Sequence, residues 1–424
     1  MTMSPDLSVR VASLREPDPL ARVDLFRALE HRYLVWDAFV GGARRVDLHP
    51  LVLSEEAHQR CVQTACDAWS LVSRASDYAF AEPRERARYD LPDDVAALAA
   101  ASHEAGDRRS LVRVDLLQRD DGRFVACEVN ADCPGGHNEA LGLPELAHAV
   151  ERREGRHAPR PAVLDLADAL VAASGGPGSP RGLVALVFAT GYYDDLQVCA
   201  LIERLVRERG GRTVRLPVTA LAAGGDRIVA RASREGAREA IAVLYRYYPA
   251  EVMAGLPIID GLVAALRAKT LVTFSSFATI YAQSKLAMAR AFAIDPAAAS
   301  RTFPATLAFS DADIPTLLRE RARWVVKRDL SRVGDHVVLG ESMSDANFAL
   351  TLEEVQEAEA EGEVWVAQRF VPQRMVAARD GARYLTLGVY LFDGRFGGYY
   401  ARLSKGALCT HDALAVPVFV EGAR

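Results

Sequence analysis

Four polar side chains recur at every second position in two neighbouring apolar segments. Arg113 and Asp115 are in the first segment, Glu128 and Asn130 are in the second, and a polar turn at 120–122 separates them. Because successive side chains of a strand point to opposite faces, pairing of the two segments would bring all four groups together. Two carboxylates about 4 Å apart repel by roughly 4 kcal/mol at an effective dielectric constant near 20. Either one carboxyl is therefore protonated or a cation lies between them.

The oxygen atoms of this set have the chemistry of a magnesium site. Carboxylate and amide oxygens are hard ligands, and phosphate oxygens commonly complete the shell of Mg²⁺. Asp115, Glu128 and Asn130 are therefore candidate metal ligands, with Arg113 beside them. A surface hairpin with alternating polar residues is the competing interpretation, and the hairpin alone does not exclude it.

Lysine is rare in this chain. Of 51 basic residues only four are lysine, at Lys269, Lys285, Lys327 and Lys405. Where any positive charge suffices, the chain uses arginine, so a lysine indicates a task for a compact ammonium group, such as contact with a phosphate. Chance is the alternative explanation for each lysine taken alone.

The sequence lacks the common phosphate-binding loops. No Gly-Lys pair occurs, which excludes a P-loop, and no GxGxxG follows a strand. Lys285 is predicted at the start of a helix, and Lys327 on a strand before the tight loop 331–335. Backbone N–H groups of this loop, which contains Gly334, could cover a phosphate.

Composition limits the class of protein. The 424 residues are 50% hydrophobic and 25% charged, which is typical of a soluble globular protein with two or three domains. A net charge of −5 gives no indication of nucleic-acid binding, and no 18-residue apolar run predicts a membrane span. Six scattered cysteines without a CxxC pair indicate reduced thiols, so we expect a cytoplasmic protein.

The elements predict an α/β fold. Helical periodicity predicts a helix over 54–80 and another over 91–106, and the hairpin of the first paragraph follows. A Gly-, Pro- and Ser-rich stretch at 173–182 reads as a linker. Strand–helix alternation from 183 to 276 predicts a small parallel layer, and late hairpins follow.

Two local signals fall in the last part of the chain. Thr351 and Glu354 form a capping box that predicts a helix start. Asp393 and Gly394 form the turn of a β-hairpin within 383–404.

Seven short motifs occur in a characteristic order. They are RVD at 113–115, EVNADCP at 128–134, YRYYPAE at 245–251, SKL at 284–286, KRDLSRVGDHV from Lys327, VAQRFVP at 366–372, and GYYARLSKGALCTHDALAVPVFV around Arg402. In this order they resemble the circularly permuted ATP-grasp ligases, in particular the synthetase domain of glutathionylspermidine synthase. Each motif is weak by itself, whereas their joint order over residues 111–420 is fairly specific.

The resemblance implies a fold and a domain plan. The fold class is α/β, a circularly permuted ATP-grasp with an antiparallel sheet that holds ATP, a small parallel α/β layer and a helical N-terminal region. The expected parts are a helical region at 1–110, a metal-binding hairpin and loop at 111–180, a small parallel domain at 181–276, and an ATP-binding lid with the rest of the sheet at 277–424.

The resemblance also implies roles for individual residues. Matching positions assign Mg²⁺ to Asp115, Glu128 and Asn130, and ATP phosphates to Lys285 and Lys327. The remaining roles are catalytic or nucleotide-binding: Arg113 at the transferred phosphoryl group, Arg402 at the reaction centre, Gln368 at the adenine and Gly334 in the covering loop.

The sequence departs from the family pattern at several positions. The glycine-rich loop reads Ser-Arg-Val-Gly at 331–334, so its first glycine and its acidic residue are missing. Ser284 replaces an asparagine, Arg328 a proline and Cys133 a threonine. These changes put the loop's contacts in doubt, and a structural role is the simpler reading of Cys133.

The expected activity is an ATP- and Mg²⁺-dependent carboxylate–amine ligase that works through an acyl phosphate. Its partners would be a small-molecule or peptide carboxylate and an amine, with no nucleic acid and no membrane. Two alternatives stay open: a non-catalytic nucleotide-binding protein on the same fold, and a kinase that stops at the phosphorylated product.

Overall fold

The structure is a computed structural model, and it describes residues 8–15, 17–107, 111–175, 182–191, 193–230, 239–331, 334 and 336–422. Part of the predicted linker, 176–181, and positions 332, 333 and 335 of the loop after Lys327 lie outside these residues. The described chain is a mixed α/β fold with several sheets.

The strands of the first half are β1 (Val9–Val11), β2 (Phe39–Val40), β3 (Ala43–Arg44), β4 (Leu51–Leu53), β5 (Leu111–Gln118), β6 (Phe124–Asn130), β7 (Arg156–His157), β8 (Leu183–Phe188), β9 (Arg212–Pro217), β10 (Leu221–Gly224) and β11 (Arg227–Ala230). The strands of the second half are β12 (Glu239–Tyr247), β13 (Val272–Phe274), β14 (Thr306–Ala308), β15 (Trp324–Arg328), β16 (Val337–Leu339), β17 (Trp365–Arg369), β18 (Met375–Ala378), β19 (Gly381–Phe392), β20 (Arg395–Ser404), β21 (Leu414–Val416) and β22 (Val418–Glu421). The α-helices are α1 (Pro19–Arg32), α2 (Glu55–Ala81), α3 (Pro83–Arg86), α4 (Asp93–Glu104), α5 (His137–Val150), α6 (Ala162–Ala173), α7 (Tyr193–Glu208), α8 (Ile259–Arg267), α9 (Ile280–Gln283), α10 (Leu286–Ile294), α11 (Pro296–Thr302), α12 (Ile314–Arg319) and α13 (Asp345–Ala360).

The central sheet combines strands from both halves of the chain. Its order is β21–β20–β19–β5–β6, with β18 on the end of β19, and every pairing is antiparallel. The early hairpin thus joins the late strands, as predicted. Asp393 and Gly394 turn the chain from β19 to β20 with φ of 47° and 75°, which suits a tight hairpin turn.

Helix α2 covers one face of the central sheet. The Ser54 hydroxyl accepts from the Ala57 N–H and caps the helix, as the sequence predicts. Its buried stripe of mostly small residues packs on Val114, Leu116 and Val389 of the sheet. Small side chains let the helix lie close to the strands, so the hairpin is rigidly supported from behind.

The parallel sheet contains the predicted strand–helix alternation. Strands β9, β8, β12 and β13 are parallel, and their apolar side chains are buried between helices. An antiparallel hairpin, β10 with β11, extends this sheet and is missing from the sequence prediction. The described strand–helix order therefore confirms a small α/β layer in this part of the chain.

A four-stranded antiparallel sheet of β14, β17, β15 and β16 carries Lys327, and we call it the lysine sheet. Helices α12 and α13 cover it through Leu317, Phe348 and Leu352. The predicted start of α13 at Thr351 is wrong. The helix begins six residues earlier, because the hydroxyl of Ser344 accepts from the Asn347 N–H and caps it there.

The terminal sheet has the order β1–β4–β22–β7 and joins the two ends of the described chain. The first 110 residues, predicted to be helical, therefore also contain the short strands β1 to β4. Helical periodicity does not reveal strands of two or three residues. None of the helices in the described ranges is both long and apolar enough to cross a membrane.

Candidate functional site

The hairpin of β5 and β6 places its polar residues opposite each other. Arg113 pairs with Asn130, and Asp115 pairs with Glu128. The register then shifts by one residue, so that Cys127 is an extra residue in β6. Such a bulge turns a strand locally and leaves one residue without a partner in the ladder. The local convergence predicted from period-two spacing is therefore present.

Asp115 is held by two guanidinium groups. Arg113 donates from Nε and Nη2 to the two Asp115 oxygens at 2.7 and 3.0 Å, and Arg402 Nη2 donates to Oδ2 at 2.6 Å. Burial by itself would raise the pKa of Asp115, but the charges and hydrogen bonds of both arginines outweigh it and lower the pKa. Asp115 is thus an ionised carboxylate that orients both cations.

Tyr400 lies beneath the same two arginines. Its ring centroid is 5.6 Å from the Arg113 guanidinium carbon and 5.3 Å from that of Arg402. Gly136 packs against the Tyr400 ring. A Cβ at Gly136 would lie 2.6 Å from a ring carbon, and the φ of Gly136 is 91°. Only glycine meets both conditions without strain. The motif that follows β6 therefore packs against the strand that carries Arg402.

Glu128 faces Lys285, which comes from a distant part of the chain. The Lys285 Nζ lies 3.5 Å from Glu128 Oε1 and donates to the carbonyl oxygens of Asp329 and Ser331, each at 3.0 Å. Lys285 is 3% exposed and directly precedes α10, as the sequence predicts. An ammonium group is thus held beside one of the hairpin carboxylates.

Lys327 reaches the hairpin from the lysine sheet. Its Nζ donates to Gln368 Oε1 at 2.7 Å and to the carbonyl of the bulged Cys127 at 3.2 Å. Burial lowers the pKa of Lys327, and the nearby Lys285 charge lowers it further, while Cys127, Glu128 and Asp115 oppose the shift. Two ammonium groups are therefore close enough to act on one polyanion.

Gln368 orients Lys327 in this structure. Its Oε1 accepts from the lysine, and its Nε2 donates to the Thr306 hydroxyl at 3.0 Å. Both ends of the amide are therefore engaged. Thr306 was not predicted, and only the pairing of β14 with β17 brings it here.

Gly334 is the described glycine of the loop after Lys327. It has a φ of 76°, and a Cβ there would lie 3.4 Å from the carbonyl oxygen of Cys409. The loop glycine therefore packs near the segment that follows Arg402. Ser331 of the same loop accepts from Lys285, and positions 332, 333 and 335 lie outside the described residues.

Eight of the predicted residues form one connected cluster, which joins distant parts of the sequence. We call it the cationic cluster, and it consists of Arg113, Asp115, Glu128, Asn130, Lys285, Lys327, Gln368 and Arg402. Its four cations face its two carboxylates, and Asp329 adds a third carboxylate beside Lys285, which leaves an excess of one positive charge. Such an excess in a buried site favours a bound anion.

The metal ligands predicted here fit Mg²⁺ only in part. Glu128 is 29% exposed, and Asn130 directs its amide nitrogen toward Asp115 at 3.4 Å, which leaves its amide oxygen for a metal. Both Asp115 oxygens are already engaged by guanidinium groups. In the described residues, no three His, Cys, Asp or Glu side chains could hold a metal by themselves.

Several polar residues that support the cluster were not predicted. Arg246 donates to both oxygens of Asp132, and this pair is almost fully buried, with exposures of 1% and 0%. The Gln283 amide oxygen accepts from the N–H groups of Ala131 and Asp132 at 2.7 and 2.8 Å. Asp132 lies in the EVNADCP motif and Arg246 in the YRYYPAE motif. The sequence therefore drew attention to both residues but did not indicate that they pair with each other.

Cys133 and Cys127 have structural surroundings. Cys133 is 8% exposed, and its thiol donates to the carbonyl of Arg246 at 3.4 Å. Burial raises the pKa of the Cys127 thiol to about 12, so it is protonated at neutral pH. Burial therefore leaves Cys127 unactivated, while Cys133 packs between the backbone and the guanidinium group of Arg246, whose Nη1 lies 3.6 Å from its sulfur.

The fold defines a mixed α/β protein with several antiparallel sheets. The sequence matches the family described as glutathionylspermidine synthase preATP-grasp over residues 34–421, and the chain belongs to this family. Membership supports a function of the carboxylate–amine ligase kind. None of the curated proteins matches the sequence.

The chain is also similar to solved structures at low sequence identity. A glutathione synthetase-like effector, GSS30, from Globodera pallida in its apo form has a TM-score of 0.60 at 11% identity, covering 96% of this chain and 98% of that one. A putative gamma-glutamylcysteine synthetase from Methylobacillus flagellatus KT has a TM-score of 0.38 at 12% identity, with coverage of 78% and 86%. The first likeness shows the fold alone, and the second carries no argument.

Proposed function

We propose that this protein is an ATP- and Mg²⁺-dependent ligase that forms an amide from a carboxylate and an amine through an acyl phosphate. The proposed scaffold is a circularly permuted ATP-grasp fold. The meeting of Arg113, Arg402, Lys285 and Lys327 at two carboxylates supports the proposal most strongly. Four cations at one point suit a polyphosphate and the charge that develops when its terminal group is transferred.

The lysines would hold the nucleotide. Lys285 and Lys327 would each replace a present partner, a backbone carbonyl or the Gln368 amide, by a phosphate oxygen. That exchange is favourable because a charge-assisted hydrogen bond to an anion is stronger than one to a neutral carbonyl. Both ends of the Gln368 amide are engaged, so contact with the adenine would require one of these bonds to break.

Mg²⁺ would be bound through Glu128 and Asn130, with phosphate and water completing its shell. Mg²⁺ commonly takes only one or two protein oxygens together with phosphate. When bound, the metal would neutralise charge on the phosphates. Asp115 would join the metal only if a guanidinium group moved away, so we assign it first to the orientation of Arg113 and Arg402.

The chemistry would proceed in two steps. A substrate carboxylate oxygen attacks the terminal phosphorus of ATP, ADP leaves, and Arg113 and Arg402 offset the charge on the phosphoryl oxygens. An amine nitrogen then attacks the acyl carbon, the bond to phosphate breaks, and the amine loses a proton as the amide forms. No side-chain nucleophile takes part, which agrees with the protonated, buried Cys127.

The test is ATP turnover with Mg²⁺ and mixtures of small-molecule or peptide carboxylates and amines. We expect ADP and inorganic phosphate to appear only when both substrate types are present, with a hydroxamate formed when hydroxylamine replaces the amine. A hydroxamate identifies an acyl phosphate, and the dependence of phosphate release on the amine separates a ligase from a kinase, which would accumulate its phosphorylated product without an amine. Phosphate release at the same rate with and without the carboxylate substrate would contradict the proposal.

A non-catalytic nucleotide-binding protein on the same fold is the second candidate. The altered loop Ser-Arg-Val-Gly at 331–334 favours it, and one structural neighbour is described as an effector. ATP binding without any hydroxamate or amide product, over a broad set of substrates, would support this candidate instead.

A further inference from the structure

Asp329 is a buried carboxylate to which the proposed chemistry gives no role. Asp329 is the first residue after β15 and lies two positions after Lys327. It is 5% exposed. Burial raises the pKa of Asp329, since a charged carboxylate is poorly solvated there, while Lys285 and several hydrogen bonds oppose that shift. Burial of a carboxylate is costly unless the group is paired or hydrogen-bonded. The partners of Asp329 therefore indicate its role.

The carboxylate of Asp329 binds the beginning of α10. The Ser284 hydroxyl lies 2.9 and 2.8 Å from its two oxygens, and the N–H groups of Lys285 and Leu286 point to Oδ1. The first N–H groups of a helix have no partner inside the helix, and a negative charge is stabilised there. Asp329 therefore caps α10 from a different part of the chain.

The backbone of Asp329 completes the connection. Its carbonyl accepts from Lys285 Nζ at 3.0 Å, and its N–H donates to the carbonyl of Val364 at 2.8 Å. Lys285 is thus fixed at both its N–H and its Nζ by one residue that is 44 positions away. The same residue continues the strand that carries Lys327.

We infer that Asp329 is a positioning residue that sets the distance between the ammonium groups of Lys285 and Lys327. This inference rests on the proposed function, in which both groups contact the phosphates of one nucleotide. Because Asp329 fills the N-terminus of α10, phosphate oxygens are left to the two ammonium groups. Loss of the carboxylate would release Ser284 and the backbone N–H of Lys285 without removing either cation.

The test uses the scarcity of lysine. With four lysines in the chain, the rate of acylation of each by a small amine-reactive reagent can be followed by mass spectrometry of the folded protein. We expect Asp329→Ala to accelerate the labelling of Lys285 by about tenfold, because the carboxylate that fixes Ser284 and the Lys285 N–H is lost and the start of α10 loosens, although Nζ keeps its backbone carbonyl acceptors. Lys269 and Lys405, which are exposed, serve as internal references.

Two further variants keep the test decisive. Asp313→Ala removes an exposed aspartate that caps α12, and it should leave the labelling of Lys285 unchanged. Asp329→Asn keeps an acceptor oxygen and should give a smaller acceleration, which matters if Asp329→Ala fails to fold. Unchanged labelling of Lys285 in the folded Asp329 variants would overturn the inference.

A second measurement separates this inference from the proposed function. A non-hydrolysable ATP analogue with Mg²⁺ should slow the labelling of Lys285 and Lys327 in the wild type, and Asp329→Ala should weaken that analogue's Kd by about tenfold. If the analogue does not protect the lysines of the wild type, the proposed nucleotide site is refuted. Faster labelling of Lys285 in Asp329→Ala would still support its positioning by Asp329. Protection with an unchanged Kd in the variant would show that Asp329 does not position the lysines for the nucleotide.

Discussion

Lys327 occupies a position that suits a lysine better than an arginine. It is one of four lysines among 51 basic residues, and it lies on a strand where its Nζ contacts the hairpin and Gln368. An ammonium group places one compact charge between the oxygens of these two contacts, whereas a guanidinium group is larger and planar.

Replacement of Lys327 should therefore remove activity without unfolding the protein. Lys327→Met keeps the aliphatic stem and loses the charge, and we expect kcat/KM for ATP to fall by at least about a hundredfold, in the range typical for loss of one preorganised charge. Steady-state kinetics and a thermal melt would check this. Lys269→Met is the matched control, and comparable activity in the two variants would refute the role of Lys327.

Glu139 is a buried acid near the cationic cluster. It is 6% exposed at the start of α5, and burial together with the Asp37 charge raises its pKa to about 7, while Arg45 partly opposes this. Asp194 adds a further negative charge. The ionised form of Glu139 is therefore disfavoured in the folded protein.

The sign of its pH dependence follows from the raised pKa. Between the unfolded value of 4.5 and about 7 the folded protein binds more protons than the unfolded chain, so this stabilisation is present below pH 4.5 and is lost as the pH rises to 7. We predict that Glu139→Gln gains stability relative to the wild type as the pH rises through this window. Denaturant unfolding of both proteins at several pH values measures it, and a difference that does not change with pH would contradict the assignment.

At the scale of elements, a buried ion pair fixes the hairpin to the parallel sheet. Asp132 follows β6 and Arg246 lies on β12, and the carboxylate also accepts from the N–H of Ala250 at 2.9 Å. Arg246 donates to the carbonyl of Ser275 as well, at 3.0 Å. The pair thus connects the loop after the candidate metal ligands to two strands of another sheet.

Removal of one partner should strongly destabilise the protein. Asp132→Ala leaves a buried guanidinium without its carboxylate, and we expect the free energy of unfolding to fall by about 3–5 kcal/mol. The double change with Arg246→Met should lose less than the sum of the single losses, because no unpaired charge remains. Urea unfolding measures all three, and the exposed pair of Arg160 and Asp165 is the control, expected to contribute about 0–1 kcal/mol.

At the scale of the whole molecule, the terminal sheet joins the beginning and the end of the described chain. Strand β22 lies between β4 and β7, and its residues Val418, Phe419 and Val420 are 4% exposed or less. A strand in the middle of a sheet satisfies the hydrogen bonds of two neighbours.

Deletion of β22 should therefore destabilise the entire protein. A chain that stops at Pro417 loses three buried side chains, each of which contributes roughly 1.5–3 kcal/mol, and exposes the edges of β4 and β7. We expect it to be insoluble or to melt far below the full chain in calorimetry. A chain that stops at Gly422 is the control, and equal melting temperatures of the two would show that the terminal sheet is dispensable.

The sequence by itself determined the local features. Period-two spacing predicted that Arg113, Asp115, Glu128 and Asn130 converge, since alternation is a property of any strand, and the register of the hairpin brings them together. The cap of α2 at Ser54 and the turn at Asp393 were also legible, because their signals lie within a few residues. The order of the motifs indicated the family that the chain belongs to.

Only the tertiary structure decided which groups meet. Asp115 is engaged by Arg402, and Lys285 is engaged by Asp329, through contacts that span 287 and 44 positions of the chain. Such contacts depend on which strand lies beside which, and that is settled by burial of the whole core rather than by any local pattern. Asp115 was predicted as a metal ligand from the sequence. In the folded protein its carboxylate orients Arg113 and Arg402.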